Sequence, residues 1–492
     1  MQKTTMLFNK KKYLIVIFIT CIQSLMGQDT ASTVRSIAAM QQHGATVSCV
    51  MYNLNKGTTH YAFQPNLQIT PASALKLITT ATALELLGAD YQFKTTLSYS
   101  GTIKNGVLDG NLYIIGSGDP SLGSQHIGVK PEQFLKNWTG AIKQAGIHTV
   151  TGDIISDASY FDKYGVSNKW LLEDLGSYYG AGAYGINLFD NAYKLYLQTG
   201  SAGSKPRITA TQPNMGNLVF HNELISKNVA KDSSYILGMP LANERYLQGI
   251  VPANKKRYTL KGDIPNPMQF MATYTKHFLA KQGVKVKGVA RVATQNSAHT
   301  IQYKSLKVLC VIESPSLKEL IKITNYKSQN LYADALLKQI GAMQNKSANN
   351  KTNTFDKGIQ SIKQHWMDKG INTDACWMYD GSGLAVTNKV SSQFMVEVLT
   401  QMHPQQSKDS MFYKSLPLVG VEGTVRNLLK TKNIPGELRL KSGSMSRVRA
   451  YAGYWSYNNQ DYAIAFFINN YNMSGKKLTP IIESFFQTLL KD

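Results

Sequence analysis

Cysteine is scarce in this chain, with four among 492 residues. Cys21, Cys49, Cys310 and Cys376 stand far apart and form no CxxC pair, which excludes a disulfide-built scaffold and a zinc ribbon. The nine histidines contain no HExxH and no HxH, so a metalloprotease-type zinc site has no ligand pattern to rest on, and neither a metal nor a cofactor is expected. No apolar run reaches the roughly 20 residues of a membrane-spanning helix. Acidic residues are few, 30 against 53 basic ones, for a net charge of +23. That imbalance favours a polyanionic partner, whether nucleic acid, anionic lipid or a wall polymer, but the basic residues are scattered rather than clustered. With 43% hydrophobic and only 17% charged residues, the chain is neither disordered nor collagen-like, and its length suggests two to four domains.

What is present begins at the amino end. Lys3, Lys10, Lys11 and Lys12 precede the apolar run Tyr13 to Ile22, and the small Gly27 follows. This is the layout of a secretory signal peptide over residues 1–27. An uncleaved anchor is one alternative. Lipid attachment at Cys21 is another, although Phe18-Ile19-Thr20 lacks the leucine and small residue that such a site prefers. Export makes nucleic acid an unsuitable partner. Cys49, Cys310 and Cys376, each among apolar or aromatic neighbours, read as buried thiols with at most one disulfide.

Along the chain, residues 45–52 and the stretch after Asn53 to Gly57 predict a β-hairpin. SALKLITTATALELLG predicts a helix that opens near Ser73 and stops at Gly88. From about residue 94 to 303 the texture is short strands with Gly and Asn turns. Helices return over Leu317 to Met343 and about 356–369, with the polar NKSANNKTNT between them expected to be a mobile loop. Three strands, LRLKSG, RVRAYAGYWSY and YAIAFFINN, and a last helix, expected to open at Thr479-Pro480, close the sequence.

Ser73 and Lys76 form SxxK, a spacing that puts both on one helical face. A serine hydroxyl is a weak nucleophile until a base takes its proton, and a lysine stripped of water can be that base. Ser474 and Lys477 also satisfy SxxK, but in a Gly-containing loop where no helix is expected to begin at the serine, so they are read as a chance match. Two further motifs follow in order: Ser328-Gln329-Asn330 between helices, and Lys441-Ser442-Gly443 on a strand. SxxK, SxN and KTG together are the signature of penicillin-binding proteins and serine β-lactamases.

PASALKLITTATAL, GSGDPSL, GDIISDASYFD, EDLGSYYGAGAYGIN, SPSLKELIKITNYKSQNLYADALL, YDGSGL and SLPLVGVEGTVRNLL extend the likeness over nearly the whole chain. The sequence resembles the class C low-molecular-mass penicillin-binding proteins, the D-alanyl-D-alanine carboxypeptidase/endopeptidase family. The resemblance implies a mixed α/β transpeptidase-like domain from residues 28–93 and 304–492, with one or two nested β-rich domains over 94–303. It implies a serine DD-peptidase acting on peptidoglycan stem peptides, inhibited by β-lactams, and periplasmic, free or at the membrane surface. Ser73 would be the nucleophile and Lys76 its base. Ser73 and Ser444 backbone N–H groups would form the oxyanion hole. Lys441 and Ser442 would hold the terminal carboxylate, and Lys441 would lower the basicity of Lys76. Ser328 would relay the proton to the leaving amine, and Asn330 would bind the peptide amide. Gly443 and Ser446 complete the substrate strand. Asp174 and Tyr179 match the pair that meets the amine end of a diamino acid. Two departures stand out: KSG replaces KTG, and Ala385-Val386 lies where an arginine is common. Arg447, where a glycine is common, is expected to take over the carboxylate of the diamino acid side chain that such an arginine would meet. A β-lactamase or esterase on the same core, or a silent wall-binding protein, remain the alternatives.

Overall fold

In the computed structural model of the chain, residues 28–293, 301–343, 353–403 and 410–491 are described. The expected signal peptide at 1–27 and most of the NKSANNKTNT loop lie outside them. The chain divides into two compact units, Met1–Ala74 with Val390–Asp492, and Leu75–Lys389.

The first unit is built on an antiparallel five-stranded sheet in the order Thr58–Phe63, Thr46–Asn53, Gln460–Asn469, Val448–Tyr457, Glu437–Met445. The hairpin expected near residue 50 is its first pair. Alternation sorts the strands' faces: Val47, Cys49, Met51, Ile464, Phe466 and Ile468 join one core with Phe485 and Phe486 of the last helix. Phe466 and Phe485 stack with centroids 4.3 Å apart. On the opposite face the helix Ser392–Gln401 is tied down by Ser48 to Ser392 at 2.7 Å and by the Tyr454 hydroxyl donating to the Leu399 carbonyl at 2.8 Å.

The last helix spans Gly475–Leu489 with Ser474 as its cap, so it begins earlier than Thr479-Pro480. Pro480 lies inside it, near enough to the start that only one early backbone bond is lost. The second SxxK therefore does open a helix, contrary to expectation. What separates it from the first is water: Lys477 is exposed, whereas Lys76 is wholly buried.

The second unit contains a five-stranded sheet, Ala290–Val292, Ile154–Asp157, Leu112–Gly116, Lys94–Tyr99 and Lys307–Glu313 in that order. Trp138 of helix Gln133–Gln144 and Phe278 of helix Pro267–Lys281 share its core with Ile114 and Ile154. A smaller β body has its own core of Tyr193, Leu195, Leu197, Leu247 and Leu260. The strand Lys307–Glu313 pairs with Lys94–Tyr99, so this sheet draws on residues past 303. The helices Lys76–Leu87, Leu317–Lys327, Asn330–Met343 and Thr354–Asp368 pack together in the same unit.

Cys49, Cys310 and Cys376 are free thiols; burial pushes Cys376 up to about 12 and Cys49 further still, which leaves both inert at neutral pH.

Candidate active site

Ser73 lies in a tight 3₁₀ turn, Ala72–Leu75, that runs directly into the helix Lys76–Leu87. Ala72 before it is held at a left-handed φ of 45°, a conformation costing about 1–3 kcal/mol in a residue with a Cβ. Ser73 is half-buried between fully buried neighbours.

In the same unit, Glu437–Met445 is the edge strand of the sheet and carries the KSG motif. A Cβ on Gly443 would fall 2.4 Å from the Pro71 carbonyl oxygen and 3.0 Å from the Ser73 nitrogen. The motif glycine is thus the residue that lets the strand lie against the serine turn. Lys441 is fully buried and donates to the Ser442 carbonyl at 2.5 Å, while the Ser442 hydroxyl donates to Thr424 at 2.7 Å. Ser444 accepts from the Arg449 guanidinium at 2.5 Å. Ser446 and Arg447 form the exposed turn joining this strand to Val448–Tyr457, with Arg447 at a left-handed φ of 55°. The Arg447 carbonyl accepts from the Asn470 N–H at 2.8 Å.

In the second unit, Lys76 is wholly buried and its ammonium donates to Asn330 Oδ1 at 2.6 Å and to the Ser382 carbonyl at 2.5 Å. Burial pushes its pKa down to about 8, against an opposing pull from the Asp334 and Asp380 carboxylates. Asp380 is itself buried and accepts from Trp170 Nε1 at 2.8 Å, the N–H groups of Gly383 and Ala385, and Asn388 Nδ2. Those bonds shape the YDGSGL loop that presents the Ser382 carbonyl to the lysine. Asp334, one helical turn after Asn330, accepts from the Gly381 N–H at 2.8 Å, and burial followed by repulsion from Asp380 pushes its carboxyl up to about 8.

Ser328 is the left-handed cap, φ 56°, of helix Leu317–Lys327, its N–H donating to the Thr324 carbonyl. The break it makes turns the chain so that Asn330 opens the next helix. Asn330 faces two ways: Oδ1 takes Lys76, and Nδ2 donates to the Tyr179 carbonyl at 2.8 Å. Asp174 and Tyr179 sit on one loop closed by Ser177 N–H to Asp174 carbonyl at 3.3 Å and Gly180 N–H to Ser177 carbonyl at 3.0 Å. Asp174 is buried, bonded to the Leu171 N–H at 3.2 Å, and pushed up to about 6 chiefly by that burial. The structure thus joins this loop to the SxN motif through one amide.

Sequence reasoning missed the working roles of Asp334, Asp380 and Ser382. The signal was available: YDGSGL was conspicuous but unassigned, and Asp334 stands four residues from Asn330, on its helical face.

A profile of the D-Ala-D-Ala carboxypeptidase 3 (S13) family matches residues 30–488. The chain is 26% identical over 423 residues to a D-alanyl-D-alanine carboxypeptidase of Actinomadura sp. (strain R39), covering 84% of this chain and 75% of that protein. It is 24% identical over 452 residues to the D-alanyl-D-alanine carboxypeptidase DacB of Haemophilus influenzae, covering 89% of each. Among solved structures, penicillin binding protein 4 (dacB) from Haemophilus influenzae superimposes with a TM-score of 0.77 at 22% identity, over 94% of this chain and 98% of that one. The mixed α/β fold expected from the resemblance is the fold that this likeness shows.

Proposed function

The chain belongs to the D-Ala-D-Ala carboxypeptidase 3 (S13) family of serine peptidases, and from that premise we propose how its own residues cleave a peptidoglycan stem peptide. Ser73 Oγ attacks the carbonyl carbon of the penultimate D-alanine while Lys76 Nζ takes its proton. The C–N bond then breaks, Ser328 passes the proton to the leaving D-alanine amine, and water frees the acyl-enzyme. Lys441 and Ser442 are assigned the terminal carboxylate, and the Ser73 and Ser444 N–H groups the oxyanion. Asp174 and Tyr179 are assigned the amine end of a diamino acid side chain, and Arg447 its carboxylate. Cross-linking peptide bonds are substrates of the same chemistry. The polymer lies outside the cytoplasmic membrane, so the proposed place of action is the periplasm.

The observation that carries this reading is the state of Lys76. Wholly buried, it has its pKa pushed down to about 8, so it gives up its proton far more readily at neutral pH than an exposed lysine near 10.4. The amine is therefore a usable base three residues from the nucleophile, held by Asn330 and the Ser382 carbonyl.

Mass spectrometry of the protein mixed with penicillin tests it. A long-lived adduct is expected, lost in Ser73→Ala and kept in Ser474→Ala, with D-alanine release falling by about 10⁴-fold or more only in the former. Rapid drug turnover would instead indicate a β-lactamase, and no reaction a silent binding protein.

A further inference from the structure

We infer that the cavity between the smaller β body and the helix Pro267–Lys281 binds N-acetylhexosamine units of a glycan chain. The cavity measures about 590 Å³, the size of a site for one or two sugar rings. Among the described residues its lining holds no carboxylate; the groups able to carry charge are His277 and Lys281. A metal cation or an ammonium ligand would find no counter-charge there. What the lining does offer is amides. Asn214, Asn217 and Asn243 are exposed along it, each presenting both a donor and an acceptor, the combination that matches sugar hydroxyls and an acetamido group.

The opposite side is aromatic. Phe270 and Tyr274 stand 5.3 Å apart at a 36° tilt. The Tyr274 hydroxyl is already committed to Glu132, so the ring is what this residue has left to give. An apolar ring face beside amide groups suits the two-faced surface of a pyranose, C–H on one side and hydroxyl on the other. Leu241 adds an independent sign. It is 45% exposed at the cavity and held at a left-handed φ of 65°, its N–H fixed on the Pro265 carbonyl at 3.0 Å. Its side chain adds an apolar contact at the rim that the methyl of an acetamido group could cover.

The inference that sugars bind stands on these residues alone. That the glycan is the wall polymer, whose peptides the catalytic residues cleave, rests on the function proposed above. Bound there, the glycan would tether the enzyme to its substrate and raise the local concentration of stem peptides.

Calorimetric titration of the full chain with tri-N-acetylchitotriose is the test, with penicillin acylation followed on the same samples so that failure of the catalytic reading is seen separately. Binding in the millimolar range or tighter is expected, with cellotriose, which lacks the acetamido group, at least about tenfold weaker. A peptide-free wall glycan binding at least as well as chitotriose would support the wall polymer as the source. Gly216 lines the cavity, and a Cβ there meets nothing nearer than Asn214 Oδ1 at 3.9 Å. Gly216→Trp should therefore fill the space without moving backbone, and weaken chitotriose by about tenfold or more while leaving the acylation rate unchanged. Asn243→Ala, a smaller change, should weaken it severalfold. Absence of binding to the parent at about 10 mM, or binding unaffected by both substitutions, overturns the proposal. So does a stem peptide that occupies this cavity in preference to the sugar.

Discussion

Burial removes from Lys76 the water that keeps an ammonium charged, and the carboxylates of Asp334 and Asp380 resist that loss. Lys338, on the same helix as Asp334, is the other buried cation that feels this carboxyl. The balance gives a signed expectation. A base works only when deprotonated, so activity rises with pH through the Lys76 titration, and the carboxylates hold that titration up. Asp334, itself raised to about 8, ionises in the same range as Lys76, so the two titrate as a pair; Asp334→Asn removes the ion-pair form that keeps the lysine charged and should move the acidic limb of the kcat/KM profile toward lower pH, by about one pH unit at most. An unmoved limb would separate Asp334 from the base. Gly443 offers a steric counterpart. Gly443→Ala places a methyl within 2.4 Å of the Pro71 carbonyl, beside the serine turn, and should slow penicillin acylation at least about tenfold with the fold retained by circular dichroism. At this scale fixed spacing makes Ser73, Lys76, Ser328, Asn330 and Lys441 stand out as candidates, and of these the structure joins Lys76 to Asn330. The sequence was opaque for Asp380, which accepts three hydrogen bonds from its own loop and a fourth from the distant Trp170, partners that only the folded chain assembles.

Among the elements, the hairpin at 46–63 and the broken helix around Ser328 follow from local signals: turn residues in one, a left-handed cap in the other. The terminal helix was harder. Pro480 reads as its first residue, while the glycine after Ser474 hides the true cap. Burial of the lysine, not the helix start, is what separates the two SxxK matches. The β-rich stretch was recognisable as texture only, since which strand pairs with which is decided by partners far away, as in Lys94–Tyr99 with Lys307–Glu313. The last helix buries an apolar face, and Phe485 is its centre, fully buried against Phe466 and Phe486. Phe485→Ala should cost about 3–5 kcal/mol of the stability of the sheet it covers, read as a lowered urea midpoint.

At the scale of the molecule, buried clusters of the described residues around Phe466 and Phe485, around Trp138 and Phe278, and around Tyr193 and Leu247 each draw on their own residues. A chain of this size and arrangement should not unfold in one step. Scanning calorimetry should give a summed enthalpy larger than the van't Hoff value, with Phe485→Ala lowering one transition and Trp138→Ala another; a single transition shifted alike by both would refute separate cores. The antiparallel sheet adds a matter of timing. Thr70 bonds to Asn469 at a sequence separation of 399, and Thr46–Asn53 finds its central neighbour only in Gln460–Asn469. During synthesis, at about 5–20 residues per second, the first strand must wait roughly 20–80 s for that neighbour. Ser73 is thus made early, but the strand that lies against its turn, Glu437–Met445, is made only after the whole of the second unit. Any product broken off before Glu437 carries Ser73 without that strand, and such truncated chains are expected to leave penicillin untouched.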